Sequence, residues 1–420
     1  MGGLGLMAKA DVVVVGGGPS GAYCALRLAE AGFSVVLLEA GPRGRYKPCA
    51  GGVSPKSLSL LPELPDELVE TKVDVPKIFS RGGQLTMKLP DSYGVMVYRT
   101  GFDQWLRDLA ASAGAQVLHE TKARDIRITG DGVHVAYPGG SVEGRALVGA
   151  FGLNTRMFKI LGLRPPKAVL AVQKELKLRP EVLEDIRGTL EIYMDSRLSR
   201  HGYAWIFPKS EGASVGILDV PRRGKGLMEK LSWFIREHPV ASGKLEGAEE
   251  MYIGGVCLSA DLIPDEPLEE PFGDRFLLVG DAAGLADPMT WEGLSYALTS
   301  ARLAAEVLVG ALEEDRLEKT ALARYSALLR EELLEPEIWP GAKLADMVYD
   351  LKPDLFDAAL DALLAMAHED EELKAALRWM ISKEKPHRDV LRVISGKRFR
   401  LIRRLGFVKA LRLLLAGKER

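Results

Sequence analysis

The sequence predicts an α/β fold in which a parallel-sheet domain is interrupted by an inserted antiparallel sheet and followed by a C-terminal helical region. Three observations predict it. Asp11–Val15 and Phe33–Glu39 are short β-branched runs on either side of an Ala/Leu-rich stretch, the look of strands buried on both faces. From about Pro166 to Gly255 the pattern turns to short alternating strands, which suits an antiparallel sheet. Beyond about Arg316 the chain reads helical to its end, without repeats or low-complexity tracts.

A chain of 420 residues has room for two or three domains, and 47% hydrophobic content can fill their cores. The formal net charge of -2 argues against a bulk nucleic-acid binder, so no nucleic-acid partner is expected. Cys24, Cys49 and Cys257 are the only cysteines and form no C-x-x-C pair. That usage fits a reducing cytoplasm and excludes a disulfide framework or a cluster held by four local cysteines; no metal site is expected. Met1–Ala10 lacks a basic region followed by an apolar core, so it does not read as a secretory signal. No apolar run is long enough to span a bilayer, which predicts a soluble or surface-bound cytoplasmic protein.

In chain order, Asp11–Val15 reads as the first strand and Pro19–Ala31 as a helix. Phe33–Glu39 follows as the second strand and closes a βαβ unit. Gly41–Ser57 is a Gly/Pro/Lys-rich loop, too long for a simple connection and therefore a functional candidate. Arg99–Gly114 carries Phe102, Trp105, Leu106 and Leu109 on one helical stripe and leads into the strand Ala115–His119. Val133–Tyr137 and Ala146–Ala150 supply further strands. The alternating set is 168–178, 189–194, 202–208 and 213–220. Arg275–Gly280 returns to the buried parallel type, followed by an alanine-rich helix over about 295–311. The expected domains are therefore 1–165 with 271–315, an insert over 166–270, and the helical region 316–420.

Gly16-Gly17-Gly18-Pro19-Ser20-Gly21 fits G-x-G-x-x-G between the first strand and its helix. Gly16 permits the tight turn, Gly18 lets the backbone approach a pyrophosphate, and Gly21 allows close helix–strand packing. Glu39 lies 21 positions past Gly18 at the end of the next strand, placed to accept hydrogen bonds from a ribose diol. This unit alone does not separate FAD from NAD. A second motif does: the strand Phe276–Val279 ends in Gly280-Asp281, with Pro288 and Glu292-Gly293 downstream. Asp281 can bond the polyol of a long ligand crossing the sheet. A helix starting near Gly293 would aim N–H groups at the edge of a flavin.

These motifs, with Arg99 in Tyr-Arg-Thr-Gly-Phe-Asp, resemble the aromatic-hydroxylase-type FAD superfamily over roughly 11–312. The resemblance implies a Rossmann-like FAD-binding domain with an inserted antiparallel-sheet substrate domain. It implies cofactor contacts from Gly16, Gly18, Pro19, Ser20, Gly21, Glu39, Ala40, Arg99, Gly280, Asp281, Pro288, Gly293 and Leu294. Where the superfamily has Ala-Asp-Gly, this chain has Ala150-Phe151-Gly152, which removes a carboxylate from the pyrophosphate region.

Two further segments resemble the geranylgeranyl reductase family, in particular its digeranylgeranylglycerophospholipid reductases. Lys47-Pro48-Cys49-Ala50-Gly51-Gly52 resembles that family's loop with a Cys before paired glycines, and Tyr203-Ala204-Trp205-Ile206-Phe207-Pro208 its Tyr-x-Trp-x-Phe-Pro signature. Strand alternation places Tyr203, Trp205 and Phe207 on one face, where they could wall an apolar channel. The resemblance implies saturation of C=C bonds in a prenyl chain on a lipid or isoprenoid precursor, with Cys49, Ala50 and Gly51 near the flavin. Cys49, Tyr203 and Trp205 are the candidate catalytic residues, with Cys49, Tyr203 or a bound water as the proton donor. NAD(P)H and a ferredoxin-like protein both stay open as electron donor.

Lys397–Arg420 holds nine basic residues and one acid, net +8, interleaved with Phe399, Ile402, Leu405, Phe407 and Leu411. It reads equally as a basic amphipathic helix on the inner membrane face and as a docked helix with a solvated basic side. Alternative functions are a flavin monooxygenase on the same scaffold, a flavoprotein passing electrons to membrane quinone, and a lipid-binding module with a vestigial flavin fold. The halogenase signature Trp-x-Trp-x-Ile-Pro is absent from the sequence.

Overall fold

The computed structural model describes residues 6–89, 94–220, 226–259 and 270–405. Its first sheet is built around the strand Leu6–Val15, which pairs in parallel with Val35–Leu38 on one side and Gly140–Gly149 on the other. Val12, Val13 and Val14 are fully buried, as a β-branched run flanked by two strands requires. Gln116–Leu118 extends the sheet beyond Val35–Leu38, and Phe276–Leu278 extends it beyond Gly140–Gly149, both in parallel. The strand that arrives after the insert thus lies beside the middle of the sheet.

The helix Pro19–Glu30 opens with Pro at its first turn and Gly18 as its extended N-cap. It buries Ala22, Cys24, Ala25 and Leu28 and packs against the helix Leu294–Glu313. Tyr325 reaches in from the helix Arg324–Leu329 and donates a hydrogen bond to the Leu278 carbonyl (2.8 Å).

The second sheet runs in the order 249–259, 168–177, 212–219, 204–208, 189–193, 75–79, 84–86. Two of its strands come from within the 1–165 segment: Val75–Phe79 pairs in parallel with Thr189–Tyr193, and Gln84–Thr86 pairs with Val75–Phe79. An all-antiparallel sheet confined to the insert was the expectation. The difference is physical, because a short strand such as Val-Pro-Lys-Ile-Phe is recruited by a distant partner rather than by its own pattern. Gly41–Ser57 also departs from an open loop: Gly52–Val53 pairs with Gly94–Met96, and Ser54 caps a short helix, Pro55–Leu60.

One face of the second sheet carries Ala204, Ile206, Val215 and Ile217 and is covered by Leu231 and Phe234 of the helix Leu227–Arg236. The opposite face carries Trp205, Ala171 and Leu218, with Tyr203 and Phe207 beside them. Period-two alternation therefore separates a core face from a face that looks into the molecule.

The C-terminal helices Trp339–Tyr349, Pro353–Glu369, Glu371–Ser382 and His387–Gly396 enclose their own core, which Ile78, Leu85 and Met194 of the second-sheet region join. Arg398–Leu405 lies on this bundle through Lys397 and Arg400 paired with Asp370, and Arg404 paired with Glu369. The rest of the basic segment, 406–420, lies outside the described residues.

A buried ionic cluster joins this bundle to the first domain. The Asp287 carboxylate takes Lys383 Nζ and, at 2.8 Å, His387 Nε2, with all three side chains essentially inaccessible to solvent. Glu337 sits 3.7 Å from His387 Nδ1 and pairs at 2.8 Å with Lys56. Burial works against an ionised Asp287, but its contacts with His387 and Lys383 hold its carboxyl well below the usual range. Replacing Asp287 with Ala leaves Lys383 as a buried unpaired cation and is expected to cost about 3–5 kcal/mol in denaturant unfolding. Arg27→Ala, which breaks a half-exposed pair with Glu30 (2.6 Å), is expected to change stability by less than about 1 kcal/mol.

Candidate active site

The carboxyl ends of the central strands open onto a cavity of about 480 Å³. Gly16, Gly18, Pro19, Ser20, Glu39, Ala40, Cys49, Ala50, Gly51, Arg99, Asp281, Gly293 and Leu294 line it, together with Tyr203 and Trp205. Residues more than 260 positions apart therefore meet around one space. Gly21, Gly280 and Pro288 stand behind its wall. A Cβ on Gly21 would fall 1.9 Å from the Gly16 carbonyl oxygen, so this glycine serves helix–strand packing. Gly280 has φ +60° and rests against Ser20, and its N–H donates to Ser300 Oγ (3.0 Å). Pro288 is buried against Gly341 of the C-terminal bundle.

Gly16 adopts φ +109° within 2.2 Å (by a built Cβ) of the Ala150 carbonyl oxygen, so no side chain fits there. Gly18 differs. A Cβ placed on it meets nothing within 4 Å, because it would project into the cavity. The Glu39 carboxylate accepts from the Gly17 N–H (3.0 Å), the Gly41 N–H (2.8 Å) and Arg45 Nε (2.9 Å). Arg99 forks onto Asp103 one turn along its own helix, at 2.5 and 3.1 Å. At the other end, Glu292 accepts from the Ser295 N–H (2.7 Å), so that N–H of the helix Leu294–Glu313 is already taken. Phe151 packs edge-on against Phe158 (centroids 5.2 Å apart), which explains how an aromatic replaces a carboxylate at that place.

Several residues that sequence reasoning did not single out stand at this cavity, as Gln173 does, or directly behind its wall. Lys209 is buried and donates to the carbonyls of Ala50 (2.8 Å) and Val97 (2.7 Å), clamping the Cys49–Gly51 loop from behind. Burial pulls its amine down to about 8, with Glu175 working the other way. Gln173 donates to the Cys49 carbonyl (3.2 Å) and to Glu175 (2.7 Å), whose carboxyl burial pushes up. The signal for Lys209 was in the sequence: it continues the period of Tyr203, Trp205 and Phe207. Gln173 and Glu175 likewise share a face of Ala168–Lys177. Tyr203 Oη donates to the Thr290 carbonyl (2.6 Å), and burial pushes its phenol up. Its proton is thereby aimed at the backbone.

Residues 9–169 match the FAD binding domain family. Over 395 residues the chain is 33% identical to digeranylgeranylglycerophospholipid reductase 2 of Methanothermobacter thermautotrophicus, spanning 90% of this chain and 93% of that protein. The chain belongs to the geranylgeranyl reductase family. It is also 30% identical to the geranylgeranyl diphosphate reductase of Rhodobacter capsulatus over 75% of this chain and 79% of that one. In fold it is similar to a crystal structure of a geranylgeranyl bacteriochlorophyll reductase-like protein from Thermoplasma acidophilum. That likeness has a TM-score of 0.77 at 23% identity and covers 95% of this chain and 99% of the other.

The residues present fit FAD, the cofactor of the matched domain. The open face of Gly18 forms a cradle that any Cβ would fill, at the N-terminus of a helix suited to a pyrophosphate. Gly18→Val is therefore expected to leave the melting temperature of the flavin-free protein within about 2 °C of wild type. The same variant should weaken FAD binding at least roughly tenfold, read by flavin fluorescence quenching.

Proposed function

We propose that this protein is an FAD-dependent reductase that saturates C=C bonds of a prenyl chain carried by a lipid or isoprenoid precursor. One observation carries the reading: the cavity is charged on one side and uncharged on the other. Its charged liners, among the described residues, are Glu39, Arg45, Lys47, Arg99, Lys122, Asp281 and Glu292, all from the first-domain segments. The second sheet and the C-terminal bundle contribute Ile78, Leu190, Ile192, Met194, Tyr203, Trp205, Tyr349 and Met380, with no charge among them. Such a lobe favours a long hydrocarbon and offers no partner for an ionic group.

FAD would be held by the turn Gly16–Ser20, Glu39, Arg99, Asp281 and the Gly293-Leu294 helix start, and in its reduced form it supplies the hydride. The protein's own tasks are to align the alkene, exclude water and let a proton reach the second carbon. Tyr203 and Trp205 act as walls that orient the chain. With the Tyr203 proton engaged by Thr290, Cys49 or a water beside it is the better-placed donor.

The relatives are named for a digeranylgeranylglycerophospholipid and for geranylgeranyl diphosphate, and no described helix is long and apolar enough to cross a membrane. We infer that the protein collects its substrate at a membrane surface through its basic C-terminal segment. Binding to anionic vesicles in a sedimentation assay is expected to fall sharply as salt rises, and to be lost when residues 406–420 are removed. Binding that is equal to neutral vesicles would end that part of the reading.

The reductase itself is tested by anaerobic reduction with dithionite, incubation with a geranylgeranyl lipid, and mass spectrometry. The expected product gains the mass of two hydrogens per double bond. Flavin that stays reduced over unchanged substrate, or a product that gains oxygen on aeration, would refute it, the latter in favour of a monooxygenase.

A further inference from the structure

Trp291 holds φ at +61°, the left-handed region that glycine enters freely and a bulky side chain enters at a cost. It is buried, lines the cavity, and packs with Trp205, Ala171 and Leu218 of the second sheet. The surrounding loop over-determines this conformation. The Trp291 N–H bonds the Asp287 carbonyl and the Asp287 N–H the Glu292 carbonyl, both at 2.8 Å. Asp287 Oδ1 accepts from the Met289 and Thr290 N–H groups (2.8 and 3.2 Å). Tyr203 and Tyr349 bond the carbonyls of Thr290 and Met289, at 2.6 and 2.9 Å. Lys383 and His387 fix Asp287 itself. A strained residue kept in place by so many bonds, with its side chain facing a ligand cavity, points to a role for the side chain.

We propose that Trp291 is a specificity-determining wall that restricts the apolar lobe to a slim chain. The floor of the lobe is the second sheet, from Val256 and Ala171 at one side to Ile78 at the other. Trp291 fills the space above the side formed by Ala171, Leu218 and Trp205. The space above Ile192 and Ile78 is left to the hydrocarbon, in the part of the wall that also holds Met194 and Met289. A linear prenyl chain fits that half, whereas a substrate with a ring system meets the indole. This deepens the prenyl-chain reading and rests on it.

The test compares two alcohols of equal carbon number, geranylgeraniol and retinol, of which only the second ends in a ring. Equilibrium binding of each radiolabelled alcohol is measured on the FAD-loaded full chain for wild type, Trp291→Gly and Trp291→Phe. The retinol-to-geranylgeraniol affinity ratio is expected to rise roughly tenfold or more in Trp291→Gly and to stay near wild type in Trp291→Phe. Trp291→Gly is further expected to melt above Trp291→Ala, since only glycine relieves the backbone. An unchanged ratio in Trp291→Gly, or a Trp291→Ala variant that melts at or above Trp291→Gly, overturns the proposal. Wild type that binds neither alcohol overturns the prenyl reading beneath it, a result distinct from an unchanged ratio.

Discussion

Three parallel strands end level with one another, and the site depends on that alignment. Val15 is in register with Gly149, and Gly149 with Leu278, so the turn after the first strand and the Gly280-Asp281 step emerge side by side. The middle position is tight: a Cβ on Gly149 would lie 2.5 Å from Leu278 Cδ2 and 2.7 Å from the Phe151 ring, so both side chains would have to shift. Ser20 and Gly280 then lie close across the gap, where a Cβ on Gly280 would come 2.8 Å from Ser20 Oγ. A register slip of one residue would turn buried positions outward and move one rim of the cavity away from the other.

Onto this rim the rest of the molecule adds a second kind of surface. The first domain supplies backbone donors and fixed charges, and the second sheet supplies aromatic and aliphatic walls. The two are locked by bonds that run from side chain to backbone: Lys209 to Ala50 and Val97, Gln173 to Cys49, and Tyr203 to Thr290. Each locks a loop by its carbonyls, which leaves the loop's side chains to face the cavity. The outcome is a cavity with low polarity along the second sheet, where a charge is poorly screened and water is unwelcome.

The sequence made the first domain legible because its signals are local. Strand, glycine turn, helix and acid follow one another within a short span, and the Gly-Asp strand end repeats the logic further on. The aromatic face was equally readable, since Tyr203, Trp205 and Phe207 obey a period of two. What lay beyond reading is non-local. Nothing in Val75–Phe79 names Thr189–Tyr193 as its partner. Asp287, Lys383 and His387 look like ordinary charged residues until the fold brings them together. The left-handed backbone at Trp291 is invisible for a related reason: the residue type argues against it, and only the bonds around it hold it there.

The ion cluster at Asp287 has a consequence for biosynthesis. Its partner Lys383 is 96 residues further along, and Met380, Ile381 and Ser382 next to it complete the cavity wall. During translation the ribosome needs on the order of 5–20 seconds to add that stretch. For most of this interval, once the helix Leu294–Glu313 has followed, the first-domain segments are complete while the uncharged side of the cavity gapes toward solvent, and the Asp287 carboxylate waits without Lys383 and His387. The nascent chain is thus at its most adhesive late, which makes this the stage at which a chaperone holding the open lobe has the most to protect.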